Sequence, residues 1–340
     1  MARVAINGLG RIGRATLKIV LDTPGLDLVA ANDLGAADDV AYLLTYDTVY
    51  GRYAKAVTTT GDGSLVVGGH RLTLLREPQP ARLPWQSLAV DIVFECTGAL
   101  TRREDLHHHI QAGAKYVILS TASKSEDIET IVHGVNTPVG RTAIISCASC
   151  TTNCVTPVME ILGRRLGVKK ATMTTVHAYT ASQALVDTQR ENARRGRAGA
   201  ANIVPTSTGA ATATARALPE YRGRFDGVAI RVPIPVGSLA DIVSLTETLT
   251  TVDDVNRIFT EEAASDRYLG VVGVTTDPLV SSDIIGDSRA SVVDLSMTQV
   301  VDGDLVKVMS WYDNEWGYSS QLVREASRIA TALGRPRLTA

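Results

Sequence analysis

Three of the chain's four cysteines fall within one stretch of twelve residues, Ser146–Pro157, SCASCTTNCVTP. The spacing Cys147-x-x-Cys150-x-x-x-Cys154 admits three chemistries: part of a metal or iron–sulfur ligand run, a dithiol redox pair, or one nucleophile with two bystanders. A metal needs further ligands. Cys96 ends an apolar run, and His107-His108-His109 is consecutive, so at most two of its rings share a helix face and the triplet reads as a solvated helix face. No metal is expected. A nucleophile needs a thiolate, a base and a source of positive potential. Cys150 precedes Thr151-Thr152-Asn153 and a helical pattern, so its sulfur is expected at a helix N-terminus, which lowers a thiol pKa. His177, closing the run KKATMTTVHAYT, is the candidate partner. Read from the residues alone, Cys150 fits a small buried residue and His177 a satisfied core histidine equally well. Cys154, one turn further on, reads as packing beneath Cys150, and Cys147 as core strand.

A second constellation lies at the start of the chain. INGLGRIGRATLKIV places Gly8-x-Gly10-x-x-Gly13 directly after an apolar strand and at the entry to a helix. Glycines there permit a tight turn, close approach of backbone amides to a pyrophosphate, and close helix-on-strand packing. Asp33 ends the next strand, where a carboxylate can hydrogen-bond a ribose 2′-hydroxyl and would repel a 2′-phosphate, so the pattern favours NAD over NADP.

These residues need a scaffold, and the pattern around them supplies one. VAING, a helix from Arg11 to Leu21, LDLVAAND, a helix-like DDVAYLLTYD, VDIVFECTG, a helix near Arg102 to Gln111, KYVILS and TAIISC alternate as strands and crossover helices of a parallel sheet. Turns at Gly61-Asp62-Gly63 and Gly68-Gly69 insert antiparallel hairpins. After Cys150 a helix to Leu166, a polar arm from Ala181 to Asn202 and long β runs joined by turns point to an α+β unit. The expected class is α/β: a Rossmann-type dinucleotide-binding domain over 1–149 with a C-terminal helix at about 315–340, and a catalytic α+β domain on an antiparallel or mixed sheet over 150–314. At 340 residues the chain is long enough for two cores. Apolar content of 45% with a net charge of −2 gives no electrostatic footprint for nucleic acid or an anionic membrane. The start lacks a secretory signal pattern and no apolar run reaches the roughly 20 residues of a membrane helix, so a cytoplasmic protein is expected.

The motifs INGLGRIGR, NDL, LLTYDTVYGR, ASCTTNC, TTVHAYT, RRGRAGAANIVPTSTGAA, RVPIP and WYDNEWGYS, in this order along nearly the whole chain, resemble the phosphorylating glyceraldehyde-3-phosphate dehydrogenase family. The resemblance implies oxidation of glyceraldehyde 3-phosphate to 1,3-bisphosphoglycerate, a step of glycolysis, with NAD favoured and NADP or dual use open, by a homotetramer. It makes Cys150 the acylated nucleophile and His177 its base. It assigns Ser149, Thr151, Thr208 and Gly209, with Arg195, to the attacking inorganic phosphate. Thr180 and Arg231 fall to the substrate's own phosphate. Gly8, Gly10, Arg11, Ile12, Gly13, Asp33, Thr97, Gly98, Ser120, Thr188 and Asn314 fall to the cofactor. The sequence departs from the family pattern at Ser182, usually aspartate, and at Thr188-Gln189, usually Leu-Pro, where hydroxyl and amide donors could receive a 2′-phosphate. An erythrose-4-phosphate dehydrogenase on the same cysteine and histidine, and a non-catalytic thiol redox sensor, are the alternative functions.

Overall fold

A computed structural model describes residues 1–139 and 142–334 as two compact units. The first comprises Met1–Ile131, Pro138–Ala148 and the chain from Leu322; the second comprises Val132–Thr137 and Ser149–Gln321. Val132–Thr137, expected with the first domain, groups with the second because Arg267 donates to the Gly134 carbonyl at 2.7 Å and the Val135 carbonyl at 2.9 Å. The C-terminal division falls inside the last helix instead of ahead of it. Residues 335–340 of that expected helix lie outside the described residues.

The first unit carries strands β1 (Ala2–Asn7), β2 (Leu26–Asn32), the short pair β3 (Tyr46–Asp47) and β4 (Gly51–Arg52), β5 (Val57–Thr59), β6 (Leu65–Val67), β7 (His70–Leu75), β8 (Ile92–Glu95), β9 (Tyr116–Leu119), β10 (Glu129–Thr130) and β11 (Ile144–Ser146). Nine of them form one sheet in the order β10-β11-β9-β8-β1-β2-β7-β6-β5. Pairing is parallel from β10 to β7 and antiparallel at the two hairpins that end it. Every residue of β8 is buried, as a central parallel strand covered on both faces requires. Crossover helices α1 (Arg11–Val20), α2 (Ala37–Thr45) and α3 (Arg103–Gln111) punctuate the strands. On α3 the histidine triplet divides: His107 and His108 are exposed, whereas His109 is fully buried and bonded to Glu95 and Trp85. The solvated-face reading therefore fails for His109, whose ring turns into the sheet.

In the second unit, α4 (Cys150–Leu166), α5 (Ala210–Ala217), α6 (Val252–Ala263) and the start of α7 (Trp316–Gly334) accompany strands β12 (Val168–Ala178), β13 (Val204–Ser207), β14 (Phe225–Val232), β15 (Ser238–Thr246), β16 (Val272–Thr275), β17 (Ser291–Asp294), β18 (Gln299–Val301) and β19 (Leu305–Tyr312). Seven lie in the order β13-β14-β12-β15-β19-β17-β16, with β18 paired to β19. Two pairings, β12–β14 and β16–β17, are parallel, so the sheet is mixed. Burial along β15 alternates residue by residue, with Ala240 and Ile242 turned into a core that includes Val155, Val158 and Phe259. A sheet with one covered face holds its register firmly, because a slip of one residue would expose that set.

Candidate active site

Cys150 is the first residue of α4, and the approach to it is locally strained. Ala148 takes a left-handed backbone, φ 54°, unusual for a residue with a Cβ. Ser149 then caps the helix, its Oγ accepting from the Thr152 amide at 3.1 Å. His177 lies near the end of β12, and the parallel register of β12 with β14 pairs it with Arg231. These two elements and the helix end bring three side chains together. Cys150 Sγ lies 3.3 Å from His177 Nε2, and Arg231 Nη1 lies 2.6 Å from His177 Nδ1. Tyr312 supports the cluster from behind, its ring edge-on to the imidazole at 5.9 Å and its hydroxyl bonded to Thr151 and Thr175.

The bonds at Nδ1 determine what the imidazole can do. A guanidinium only donates, so Nδ1 accepting from Arg231 leaves the ring proton on Nε2, facing sulfur. Nδ1–H donating instead to the Ala178 carbonyl, 2.7 Å away, leaves the Nε2 lone pair facing sulfur. Ala178 O also accepts from Arg231 at 2.9 Å, so both tautomers find partners in place and the second is a proton acceptor poised on the thiol. Burial, followed by the charge of Arg231, pushes His177 down to about 3, with the Ala178 carbonyl opposing and Arg195 adding to the depression. The ring is neutral at ordinary pH. Burial likewise pushes the Cys150 thiol up, against the charge of Arg231, a bond from Thr151 and the amides at the helix start. Cys150 is half-buried, and the helix end acts in the expected direction, but burial outweighs it, so the thiol is raised where the sequence led us to expect it lowered. Cys150 therefore depends on the contacting imidazole to remove its proton.

The other expected ligand residues of this unit each have local partners. Arg195, in a turn of 3₁₀ helix at Ala193–Gly196, donates through Nε to Thr206 Oγ1 at 3.2 Å. Thr208 precedes α5 and accepts from the Ala210 amide, with the exposed Gly209 as helix cap. Thr180 Oγ1 and Ser182 Oγ bond to each other at 2.9 Å. Asn314 is buried and its Oδ1 accepts from the Gly237 amide and Ser238 Oγ. Thr188 is exposed, with its amide bonded to the Gly196 carbonyl. Arg231 Nε is a buried donor without a partner among the described residues.

In the first unit a cavity of about 370 Å³ opens over the glycine turn, lined by Gly8, Gly10, Asp33 and Thr97 among the expected residues, and by Asn7, Asn32 and Glu77. Its shape depends on missing side chains. A Cβ at Gly13 would stand 1.9 Å from the Gly8 carbonyl oxygen, and one at Gly8, where φ is +94°, would meet the Thr97 amide at 2.7 Å. Asp33 accepts from the amides of Leu9 at 2.7 Å and Gly35 at 2.8 Å, so it ties the glycine turn to the end of β2. Helix α1 starts with no side-chain cap, leaving its first amides for an anion. A dinucleotide fits this donor set. Arg11, Ile12, Gly98 and Ser120 do not line the cavity; Arg11 pairs with Asp47. A larger depression of about 640 Å³ beside Met1, Pro24 and Ala330 contains none of these groups. Sequence reasoning missed Tyr312, whose contacts exist only once β19 lies against α4, one strand away from β12 in the sheet. It also missed Glu95, since a carboxylate ending an apolar strand carries no local signal.

The sequence model of the glyceraldehyde 3-phosphate dehydrogenase NAD-binding domain matches residues 2–103, and that of the C-terminal domain of the same family matches residues 149–314. Among curated proteins, glyceraldehyde-3-phosphate dehydrogenase 2 of Streptomyces avermitilis is 46% identical over 325 residues, 94% of this chain and 96% of the relative. The glyceraldehyde-3-phosphate dehydrogenase of Geobacillus stearothermophilus is 45% identical over 333 residues, covering 97% and 98%. That of Zymomonas mobilis is 42% identical over 335 residues, covering 97% and 99%.

Proposed function

The chain belongs to the glyceraldehyde-3-phosphate dehydrogenase family, and on that premise we propose that it oxidises and phosphorylates D-glyceraldehyde 3-phosphate to 1,3-bisphosphoglycerate with a nicotinamide dinucleotide. The observation that carries the reading is the 3.3 Å contact between a half-buried thiol and a neutral imidazole beside two arginines. His177 Nε2 takes the Cys150 proton as sulfur bonds to the aldehyde carbon, and returns it to the carbonyl oxygen, giving a hemithioacetal. His177 then accepts the hydroxyl proton as the C–H bond breaks, leaving a Cys150 thioester. When bound, the nicotinamide supplies the acceptor for the hydrogen and electron pair of that bond. Inorganic phosphate attacks the thioester carbonyl, the C–S bond breaks, and the acyl phosphate leaves Cys150 as thiolate, which recovers a proton.

Two phosphate groups require separate donors. We assign the substrate's phosphate to Arg231 and Thr180, supported by the unpartnered Nε of Arg231. The attacking phosphate falls to Arg195, Thr208 and Gly209 with the helix start at Ser149 and Thr151. The hydroxyls of Ser149 and Thr151 bond to Thr152 and Tyr312 and keep a donor for the anion where those partners donate, and the backbone amides at the helix start add to them. Gly8, Gly10, Asp33 and Thr97 hold the cofactor, NAD in preference because Asp33 places a negative charge on the cavity wall. Gly13 and Gly98 shape the turns, and Arg11, Ile12, Ser120, Thr188 and Asn314 complete the assignment on resemblance. Exposed Leu185, Val186, Ile203 and Val228 in the second unit support a homo-oligomer, proposed as a tetramer. No disulfide joins any of the cysteines among the described residues, which supports a reducing cytoplasm. No described helix is long and apolar enough to cross a membrane.

The test is formation of reduced nicotinamide from glyceraldehyde 3-phosphate, with and without inorganic phosphate, using NAD and NADP in parallel. Steady turnover only with phosphate is expected, NAD being the better cofactor. Turnover with erythrose 4-phosphate alone would replace the substrate assignment, and cofactor binding without any turnover would replace catalysis by the thiol-sensor reading.

A further inference from the structure

Among the buried ionisable groups that the mechanism leaves unused, one touches the cofactor cavity's lining. Glu95, the last residue of β8, is fully buried, and its carboxylate meets only donors. Oε1 accepts from the Thr97 amide at 2.8 Å and from the Thr97 hydroxyl; Oε2 accepts from Asn7 Nδ2 at 2.6 Å and lies 3.0 Å from His109 Nε2. The histidine's proton position follows from its other neighbour: Trp85 Nε1–H can only donate, and it points at His109 Nδ1 at 3.0 Å, so the ring hydrogen on Nε2 is directed at Glu95. On the opposite side the chain continues. Asn32 Nδ2 donates to Asn7 Oδ1 at 2.8 Å and to the Glu77 carbonyl at 3.0 Å, and the Glu77 amide donates to Asn32 Oδ1 at 2.8 Å. An acceptor-only group at one end thus fixes which way both asparagine amides face.

Thr97, Asn7, Asn32 and Glu77 all line the 370 Å³ cavity, Thr97 following β8 and Glu77 following β7, strands that flank the β1–β2 pair in the sheet. We propose that Glu95 is a positioning residue for the cofactor: its carboxylate holds the Thr97 wall directly and the Glu77 wall through Asn7 and Asn32, so that the dinucleotide meets a preformed cleft. This rests on the dinucleotide reading of that cavity. Glutamine cannot replace it. One of its two positions becomes an NH₂ group, which must face either the Thr97 amide or the Asn7 amide nitrogen and the His109 N–H, and in both orientations donor meets donor.

The experiment compares wild type with Glu95→Gln and Asn32→Ala, the latter severing only the Glu77 wall, and with Trp85→Phe, which removes the indole bond at the far end of the network. Dissociation constants for NAD are measured by calorimetry, KM for NAD and for the aldehyde by initial rates, and Tm by scanning calorimetry. Glu95→Gln is expected to weaken NAD binding about 10- to 100-fold, the scale of a lost charge-assisted bond and a buried donor clash. KM for the aldehyde and kcat at saturating NAD should stay within about threefold. Asn32→Ala should weaken NAD binding severalfold, and it alone decides the matter if Glu95→Gln does not fold. Unchanged NAD affinity in the folded variants overturns the proposal. So does Trp85→Phe losing as much affinity as Glu95→Gln at equal loss of Tm, because the role is then structural. Wild-type protein that binds neither dinucleotide would overturn the cavity's assignment and this proposal together.

Discussion

Replacing His177 by asparagine isolates what the imidazole does for Cys150. Burial raises the Cys150 thiol, so an unassisted Cys150 is mostly protonated at pH 7. Without Nε2 at 3.3 Å the thiol loses the general base that takes its proton during the attack, a loss of about 10² to 10⁴. Proton removal from the hemithioacetal hydroxyl loses a further factor of about 10² to 10⁴. One residue serves both steps, and such losses do not add, so the net expectation is about 10² to 10⁴, or about 2.7 to 5.4 kcal/mol of transition-state stabilisation. The assay is the first turnover of reduced nicotinamide by rapid mixing, at saturating aldehyde and cofactor and without inorganic phosphate, so that only acylation is seen. For His177→Asn the rate should rise about tenfold per pH unit up to and beyond pH 9, narrowing the gap. The wild type, whose base is neutral at every pH above about 4, should not show that slope. A loss under tenfold, or a gap that does not change with pH, would refute the base assignment.

Cys150→Ser is expected to abolish phosphate-dependent oxidation while leaving the NAD dissociation constant within about twofold, because the cavity lies in the other unit; calorimetry and initial rates check both. Gly13→Ala forces a Cβ to within 1.9 Å of the Gly8 carbonyl oxygen, so the turn must open; a Tm loss worth about 1–3 kcal/mol and loss of NAD binding should appear together, and retained affinity would show the packing to be dispensable. Asp33→Asn removes the charge facing a 2′-phosphate and should raise the NADP-to-NAD ratio of kcat/KM at least about tenfold, provided the wild-type ratio lies well below one. His177, with its pKa depressed, stays neutral above about 3, so its ring resonances in a proton NMR titration should not move between pH 5 and 8. Because the unfolded histidine titrates near 6.5, the unfolded state binds the extra proton below that value, and stability should fall as pH drops from about 6.5 towards 3.

How much of this was legible in the sequence follows from how local each cause is. The glycine turn declares itself because its constraint is local: Gly8 needs φ +94° and Gly13 needs no side chain, and both needs are written within five residues of each other. The strand and helix alternation of the first unit is likewise a local pattern of burial. The resemblance supplied Cys150, His177 and Arg231 as a set. What joins His177 to Arg231 is the parallel register of β12 with β14, across 54 residues of chain, and no periodicity encodes that pairing. Tyr312 is further removed, since its hydroxyl bridges to Thr151 from 161 residues away.

The two reversals share one cause. A triplet of histidines on a charged helix looks solvated, and a cysteine at a helix start looks activated, when each is judged by its neighbours in sequence. Burial decides otherwise in both cases. His109 turns inward because Trp85 and Glu95 offer matched donor and acceptor atoms at zero exposure, and the Cys150 thiol is raised because burial outweighs the helix-end amides and the Arg231 charge. The chemistry is also conditional. The imidazole's tautomer depends on whether Arg231 or Ala178 engages Nδ1, and Nε2 is a proton acceptor facing the sulfur when the guanidinium has another anion to hold. The proposed substrate carries that anion as its own phosphate, so the group that binds it also frees the base.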